Sequence, residues 1–345
     1  MDKAMNPKKI VVIDLAFIGD VVLATPVLRS LRERYPNAYI AMLTVPLTGE
    51  IARMNPYVDE VLVYDKRNVH KGIGGMFRVA AILRQHRFDM AVCMNFAVRG
   101  AVVAWLARIP VRAGYDAQHA GWFLTHVTSS IRPCIQQERL NHLEVLKALA
   151  IQPAVDNSLE LHVPIGAIQS MHKKVSRSQK QRPLLAICPY GSYQRKDIPE
   201  DTLQELLVVL LADYEVYLLG DKKAEEKFWQ LAKTTGMSRD HLLAGTLTLT
   251  ELAAFLQETD CLLSVDTGPQ HIAQAVGCPV VALFGPTDPR VWGPAASADI
   301  VLYDACDCSP CWGKGECREN ICMQNLETRA IEAAIHQRLQ AVGKS

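Results

Sequence analysis

The 345-residue chain has almost no net charge: 37 Lys and Arg face 36 Asp and Glu, a formal +1. General binders of polyanions carry a basic excess, so bulk nucleic-acid binding is excluded as a class. Long apolar runs are also missing, and none approaches the ~18 residues that span a bilayer. The apolar run after the first lysines is short and ends at Asp14, which does not suit a secretory signal. No internal repeat is found. A cytoplasmic protein is therefore expected, and in a reducing compartment disulfides do not account for ten cysteines. What is present describes an ordinary globular protein: 49% hydrophobic and 21% charged residues. The length suggests roughly two domains, each large enough to do without disulfide staples.

Apolar runs and helical periods alternate along the chain. Strands are expected over 10–14, 39–43, 61–64, 89–94 and 111–114, and helices over 21–35, 77–86 and 98–107. Such alternation implies right-handed crossovers and a parallel sheet. Two stretches interrupt it. Residues 65–75 are basic and glycine-rich, and 115–137 hold Tyr115, His119, Trp122, His126 and Arg132 without a period. They read as solvated loops or, more sharply, as a rim that meets something anionic. A helix over 138–150 precedes a polar stretch, 151–183, taken as the domain boundary. Alternation then resumes: strands 184–188, 215–219, near 242–243, 261–265 and 280–284, with helices 200–211, 222–234, 249–257 and 271–276. A closing helix over 326–341 is expected to pack back across the first domain. The expected division is 1–165, 183–325 and the terminal helical segment 326–345.

In open parallel sheets ligands bind outside the carboxyl ends of the strands, so the turns there are the candidate sites. Asp266-Thr267-Gly268-Pro269 joins a strand to a helix, where free N–H groups and the helix dipole suit a phosphate. His271 follows one turn later, placed either to reach that phosphate or to pack on the sheet. The loop holding Ser192, Arg195 and Lys196 can cap phosphate oxygens and neutralise charge, or simply precede a helix. Gly220-Asp221, with Glu225 beyond, can accept from ribose hydroxyls or form an ordinary turn. Gly19-Asp20 opens the first helix. Asp is a favoured N-cap residue worth ~1 kcal/mol, and a carboxylate at the mouth of a cleft is also a general base.

Taken together the motifs resemble a known family. Phe17-Ile18-Gly19-Asp20-Val21 with Thr25-Pro26 is similar to its amino-terminal motif. Ser264 to Pro269, His271, Gly277, Pro279 and Ala282 to Pro289 are similar to its carboxyl-terminal one. The family is the bacterial ADP-heptose:lipopolysaccharide heptosyltransferases, glycosyltransferase family 9, and the resemblance covers nearly the whole chain. It implies an α/β GT-B fold, two doubly wound Rossmann-like domains facing a central cleft. The first domain would bind the acceptor and the second the nucleotide-sugar.

The implied reaction is inverting transfer of heptose from ADP-heptose to a lipopolysaccharide inner-core sugar, without a catalytic metal. By position, Asp20 matches the catalytic base, and Ser192 and Lys196 match the phosphate loop. Asp266, Thr267, Gly268, Pro269 and His271 match the sugar–diphosphate turn. Gly220, Asp221 and Glu225 fall where the ribose contact is expected, and Gly245 to Leu247 would border the adenine. The implied partners are ADP-heptose and the lipopolysaccharide acceptor, with peripheral contact at the inner membrane and no nucleic acid. The alternatives are another nucleotide-sugar or a protein acceptor on the same family, or a nucleotide-sugar epimerase or binding protein on the same architecture.

Five cysteines, Cys93, Cys134, Cys188, Cys261 and Cys278, are scattered and read as small core residues. The other five cluster. Cys308, Cys311, Cys317 and Cys322 form a C-x2-C-x5-C-x4-C pattern with Cys306 as a spare. Such spacings in a reducing cytosol suggest a closed, structural zinc or iron site; the alternative is reduced thiols in an ordered loop.

Overall fold

The computed structural model describes residues 6–129, 135–176, 182–317 and 319–341; Arg132 and Cys134 lie outside them. The chain divides into two units, Met1–His162 and Val163–Ser345.

The first unit holds a six-stranded sheet: β1 (Lys9–Ile13), β2 (Tyr39–Thr44), β3 (Glu60–Val63), β4 (Met90–Cys93), β5 (Val111–Asp116) and β6 (His126–Ser129). Its spatial order is β3-β2-β1-β4-β5-β6, with every neighbouring pair parallel. The second unit repeats the plan with β7 (Leu184–Cys188), β8 (Glu215–Gly220), β9 (Leu242–Ala244), β10 (Cys261–Val265), β11 (Val280–Phe284) and β12 (Ile300–Tyr303). Its order is β12-β11-β10-β7-β8-β9, again all parallel. The central strands are apolar and buried throughout because helices cover both faces of each sheet. In each sheet the first strand lies in the middle, so crossovers leave it in opposite directions. The resulting switch points lie between β1 and β4 and between β7 and β10.

Several expected boundaries move. The first helix begins at Ile18 and breaks at Ala24 into Ile18–Leu23 and Thr25–Arg34, the second half starting on a Thr-Pro pair. The helix expected from residue 77 begins at Gly72. Glycine disfavours helix, but the preceding loop folds against this first turn: a Cβ on Gly75 would collide with the His70 carbonyl. The polar stretch after residue 151 is not one linker. Arg29, buried, bonds to the carbonyls of Asp156 and Ser158 and to Glu160, which fastens that part to the first unit. Residues Ile165–Lys174 form a helix of the second unit. The closing helix, Thr328–Ala341, belongs to the second unit. Its Ile331, Ala334, Ile335 and Leu339 enter the second unit's own core, beside Leu206, Leu210 and Cys261, and it packs on β10, β11 and β12. Burial of that apolar stripe fixes its position.

The helix Ile165–Lys174 is clamped to the helix Leu249–Gln257 through one buried carboxylate. Glu251 accepts from Lys174 Nζ (2.7 Å), Ser170 Oγ (2.6 Å) and the Thr248 N–H (2.8 Å). Burial alone would raise the Glu251 carboxyl, but those donors outweigh it and hold it down at about 2. A depressed carboxyl stabilises the fold fully above its unfolded value, near 4.5, and loses that contribution as pH falls toward 2. Glu251→Gln is therefore expected to lower unfolding stability at pH 7 by about 1–3 kcal/mol. The gap from wild type should narrow below pH 4.5; denaturant titrations at several pH values check both, and equal stability at pH 7 would refute the clamp.

Candidate active site

At the first switch point, β1 runs into Asp14, whose side chain is wholly buried. Its Oδ1 accepts from the Ala16 N–H (3.0 Å) and from Asn95 Nδ2 (3.0 Å), while Asn95 Oδ1 accepts the Leu15 N–H (2.6 Å). Asn95 follows β4, so this exchange ties together the two turns that part at the switch point. Asp20 sits in the first turn of the helix Ile18–Leu23, not at its cap; Phe17 is the cap. The Asp20 carboxylate reaches back to accept the Phe17 N–H (3.1 Å), the return half of a capping box. Phe17 has no oxygen to complete the box, and its ring is 78% exposed. Burial, then Asp14, pushes the Asp20 carboxyl up to about 6, against the pull of His142.

Three cations crowd the same sheet edge. Lys66 Nζ donates to Leu15 O (3.0 Å), and Arg99 lies over the Tyr64 ring and donates to its hydroxyl (3.2 Å). Burial, with Arg99 and Arg67 close by, pushes the Lys66 ammonium below the usual lysine range. Gathered like charges at the carboxyl edge suit an anionic ligand.

Sequence reasoning missed Asp14, Asn95, Arg99, Glu138 and His142; Lys66 and Arg67 fall in the basic stretch 65–75 read as a loop or an anion-facing rim. A signal for Glu138 and His142 existed. In the helix Glu138–Lys147 the buried positions Glu138, Asn141, His142 and Val145 keep the i, i+3, i+4, i+7 spacing of a core face. Polar residues at core positions are the feature to look for.

At the second switch point the structure brings several expected residues together. Lys196 Nζ reaches Asp266 Oδ2 at 2.6 Å and Asp266 O at 3.2 Å, joining the turn after β7 to the turn after β10. Thr287, in the turn after β11, donates to the same Oδ2 (2.7 Å). Thr267 caps the helix Gly268–Ala275 with extended backbone, and Pro269 occupies its first turn, where a missing N–H costs nothing. The helix thus begins at Gly268 instead of near residue 271. His271 is buried one turn in, and burial pushes its imidazole down to about 4, which leaves it neutral at pH 7. Ser192 is exposed on the loop.

Arg195 does not face this turn. It donates to Gly313 O (3.1 Å) and Gly315 O (2.9 Å), binding the cysteine-bearing loop. Gly220 ends β8, where a Cβ would lie 2.8 Å from the Cβ of Ala224, so only glycine lets that turn close. Asp221 caps the short turn after it, accepting from the Lys223 N–H (2.9 Å), and Glu225 is exposed at the next helix start. Gly245 lies beside this turn, its N–H donating to Gly220 O (2.8 Å).

The clustered cysteines line one cavity of about 260 Å³, with Cys306, Cys308, Cys311, Cys317 and Cys322 on its wall. Among the described residues, however, no group of three or more His, Cys, Asp or Glu side chains stands at metal-holding geometry. The thiols instead contact one another and a serine: Cys306 Sγ lies 3.4 Å from Cys308 Sγ and 3.3 Å from Ser309 Oγ. The donor set fits a soft metal in kind and place, although not in the arrangement of the sulfurs.

Residues 76–322 match the sequence model of glycosyltransferase family 9 (heptosyltransferase). Lipopolysaccharide heptosyltransferase 3 of Escherichia coli is 26% identical over 299 residues, covering 84% of this chain and 87% of that protein. Among solved structures, a family 9 glycosyl transferase from Veillonella parvula superposes with a TM-score of 0.85 at 22% identity, covering 98% and 99% of the two chains. The E. coli ADP-heptose lps heptosyltransferase II gives 0.81 at 20% identity, covering 97% and 99%. Two Rossmann-like domains of the GT-B type are the fold this chain shares with them.

The Lys196–Asp266 pair has side chains only 12% and 7% exposed. Removing one partner from such a pair leaves an uncompensated buried charge. Lys196→Met is expected to destabilise the protein by about 3–5 kcal/mol in denaturant unfolding; unchanged stability would show that Asp266 does not depend on the pair.

Proposed function

Because the chain belongs to glycosyltransferase family 9, the heptosyltransferase family, we propose that it moves a heptose from ADP-heptose to an inner-core sugar of lipopolysaccharide. The transfer inverts the anomeric carbon and uses no catalytic metal. The observation that carries this reading is the joined Lys196 and Asp266 at a strand-end turn of the second unit, with His271 buried in the first turns of the helix that follows. The relatives' names support the choice of substrates.

In the proposed reaction Asp20 takes the proton of an acceptor hydroxyl. The oxygen's electron pair forms the new bond to the anomeric carbon, and the bond from that carbon to the diphosphate oxygen breaks. ADP leaves with those electrons. Lys196 turns its ammonium from Asp266 to the diphosphate, aided by the N–H groups at Thr267 and Gly268 and the hydroxyl of Ser192. Preorganised donors of this kind supply ~3–4 kcal/mol each. His271, being neutral, donates an N–H without adding charge. Asp221 and Glu225 accept from the ribose, the turn closed by Gly220 keeps that approach open, and residues 245–247 border the adenine. Pro269 keeps the first helical turn rigid beneath the diphosphate.

The cations Lys66, Arg67 and Arg99 favour an acceptor that carries carboxylates or phosphates. Among the described residues no helix is long and apolar enough to cross a membrane, and we place the reaction at the cytoplasmic face of the inner membrane by peripheral contact.

We further read Cys308, Cys311, Cys317 and Cys322 as the holders of a structural zinc or iron ion. Four thiolates leave no open position, so the ion would order the loop and take no part in transfer.

Two measurements test these readings. Asp20→Ala is expected to lower transfer by roughly 10²–10⁴-fold while ADP binding persists, and heptose should leave ADP-heptose only when acceptor is present. Near-wild-type transfer by the variant would remove the base; conversion of ADP-heptose without acceptor would remove the transferase reading. Elemental analysis of protein purified without chelators should find one zinc or iron per chain, and its absence would refute the metal site.

A further inference from the structure

Two side chains that act electrostatically on Asp20 each keep a buried polar atom without a hydrogen-bond partner: Asp14 Oδ2 and His142 Nδ1. Buried polar groups in folded proteins are nearly always satisfied, so two such exceptions around one carboxylate call for an explanation.

Asp14 has both of its donors on Oδ1, and its second oxygen is buried without a hydrogen-bond partner. An ionised carboxylate in that setting is costly, and burial pushes Asp14 up. His142 comes from the helix Glu138–Lys147, which packs on Asp20's own helix, Ile18–Leu23. Glu138 lies one turn before it, with Oε1 3.6 Å from His142 Nε2, and both side chains are nearly buried. The other Glu138 oxygen accepts from Asn141 Nδ2 (3.0 Å), which fixes the carboxylate's orientation. Tyr115 holds this helical turn by donating to the Asn141 carbonyl (2.7 Å).

We propose that Asp14 and His142, the latter oriented by Glu138, are positioning residues that form with the half-buried Asp20 an acid–base cluster and set the pH at which Asp20 works. This rests on the reading of Asp20 as the base. A second carboxylate nearby disfavours ionisation of Asp20, and a positive charge nearby favours it; Asp14 acts on Asp20 in the first sense and His142 in the second.

Other elements packed on Ile18–Leu23 bring different groups. The helix Gly49–Arg53 contributes Glu50 and Arg53. The helix Thr25–Arg34 contributes Arg29, Arg32, Glu33 and Arg34, of which Arg29 pairs with Asp156 and Glu160 and Arg32 with Asp59. Glu138 also acts directly on Asp20, in the same sense as Asp14. Lys66 acts on Asp14.

The test uses the full chain labelled with ¹³C at aspartate carboxyls and at histidine ring carbons, with Asp20 assigned through Asp20→Asn and His142 through His142→Gln, and a kcat–pH profile on the same protein. Asp14→Asn should lower the Asp20 midpoint and move the acid limb of kcat down by about one pH unit. His142→Gln should move both up by a similar amount. These opposite shifts are something a purely structural role does not produce. Midpoints unmoved in both variants, or moved in the same direction, would overturn the proposal. If either variant fails to fold, the wild-type His142 and Asp20 signals decide. Titrations that each show an inflection at the other's midpoint support the cluster, and independent single-step titrations refute it. An active Asp20→Asn enzyme alongside the opposite shifts would remove the base and leave the cluster; an inactive one with unmoved midpoints would do the reverse.

Discussion

A parallel sheet that starts from its middle strand must send its crossovers to opposite sides, and the turns on either side of that strand then part. Both sheets of this chain are built so, with β1 beside β4 and β7 beside β10. Each parting leaves backbone and side chains of two distant segments free to meet without a helix over them. The two central polar links sit there: Asp14 to Asn95 in the first unit and Lys196 to Asp266 in the second. Neither link depends on neighbours in sequence. Each depends on two strands being hydrogen-bonded side by side, so the chemistry is only as well placed as the parallel ladder beneath it.

The two units use this constraint differently. In the second, the buried carboxylate Asp266 is surrounded by donors, from Lys196 and Thr287, and its surroundings are satisfied before any ligand arrives. In the first, Asp14 keeps one oxygen without a donor, and Asp20 has a single backbone donor from Phe17. A carboxylate so supplied keeps a second donor if one cation turns elsewhere. An unsatisfied pair of carboxylates resists full ionisation, which suits a group that must receive a proton.

The strands and the Asp266 turn were legible in the sequence because both leave local marks: buried apolar runs in one case, a Thr-Gly-Pro helix start in the other. Asp20 was legible as a residue but not in its setting, since nothing local distinguishes a cap from the third helical position. The helix beginning at Gly72 was hidden by its glycines, of which Gly75 lies against the preceding loop at His70. For Arg195 the sequence left two readings, a cation for phosphate charge or part of an ordinary loop, and its carbonyl partners lie 118 to 120 residues away, beyond any window of pattern. Glu138 and His142 were passed over because charged residues on a helix ordinarily mark its wet face. The closing helix has an apolar stripe that any sheet could cover, and only the tertiary fold chose the second unit's core.

Arg195 and Lys196 are adjacent, and they face different tasks. One grips three successive carbonyls of the loop at 313–315; the other reaches Asp266. The backbone between them is a short lever with one end seated in the cysteine-bearing loop. Any rearrangement that shifts that loop carries the lysine's attachment point with it, so the two loops form one mechanical part assembled from opposite ends of the second unit.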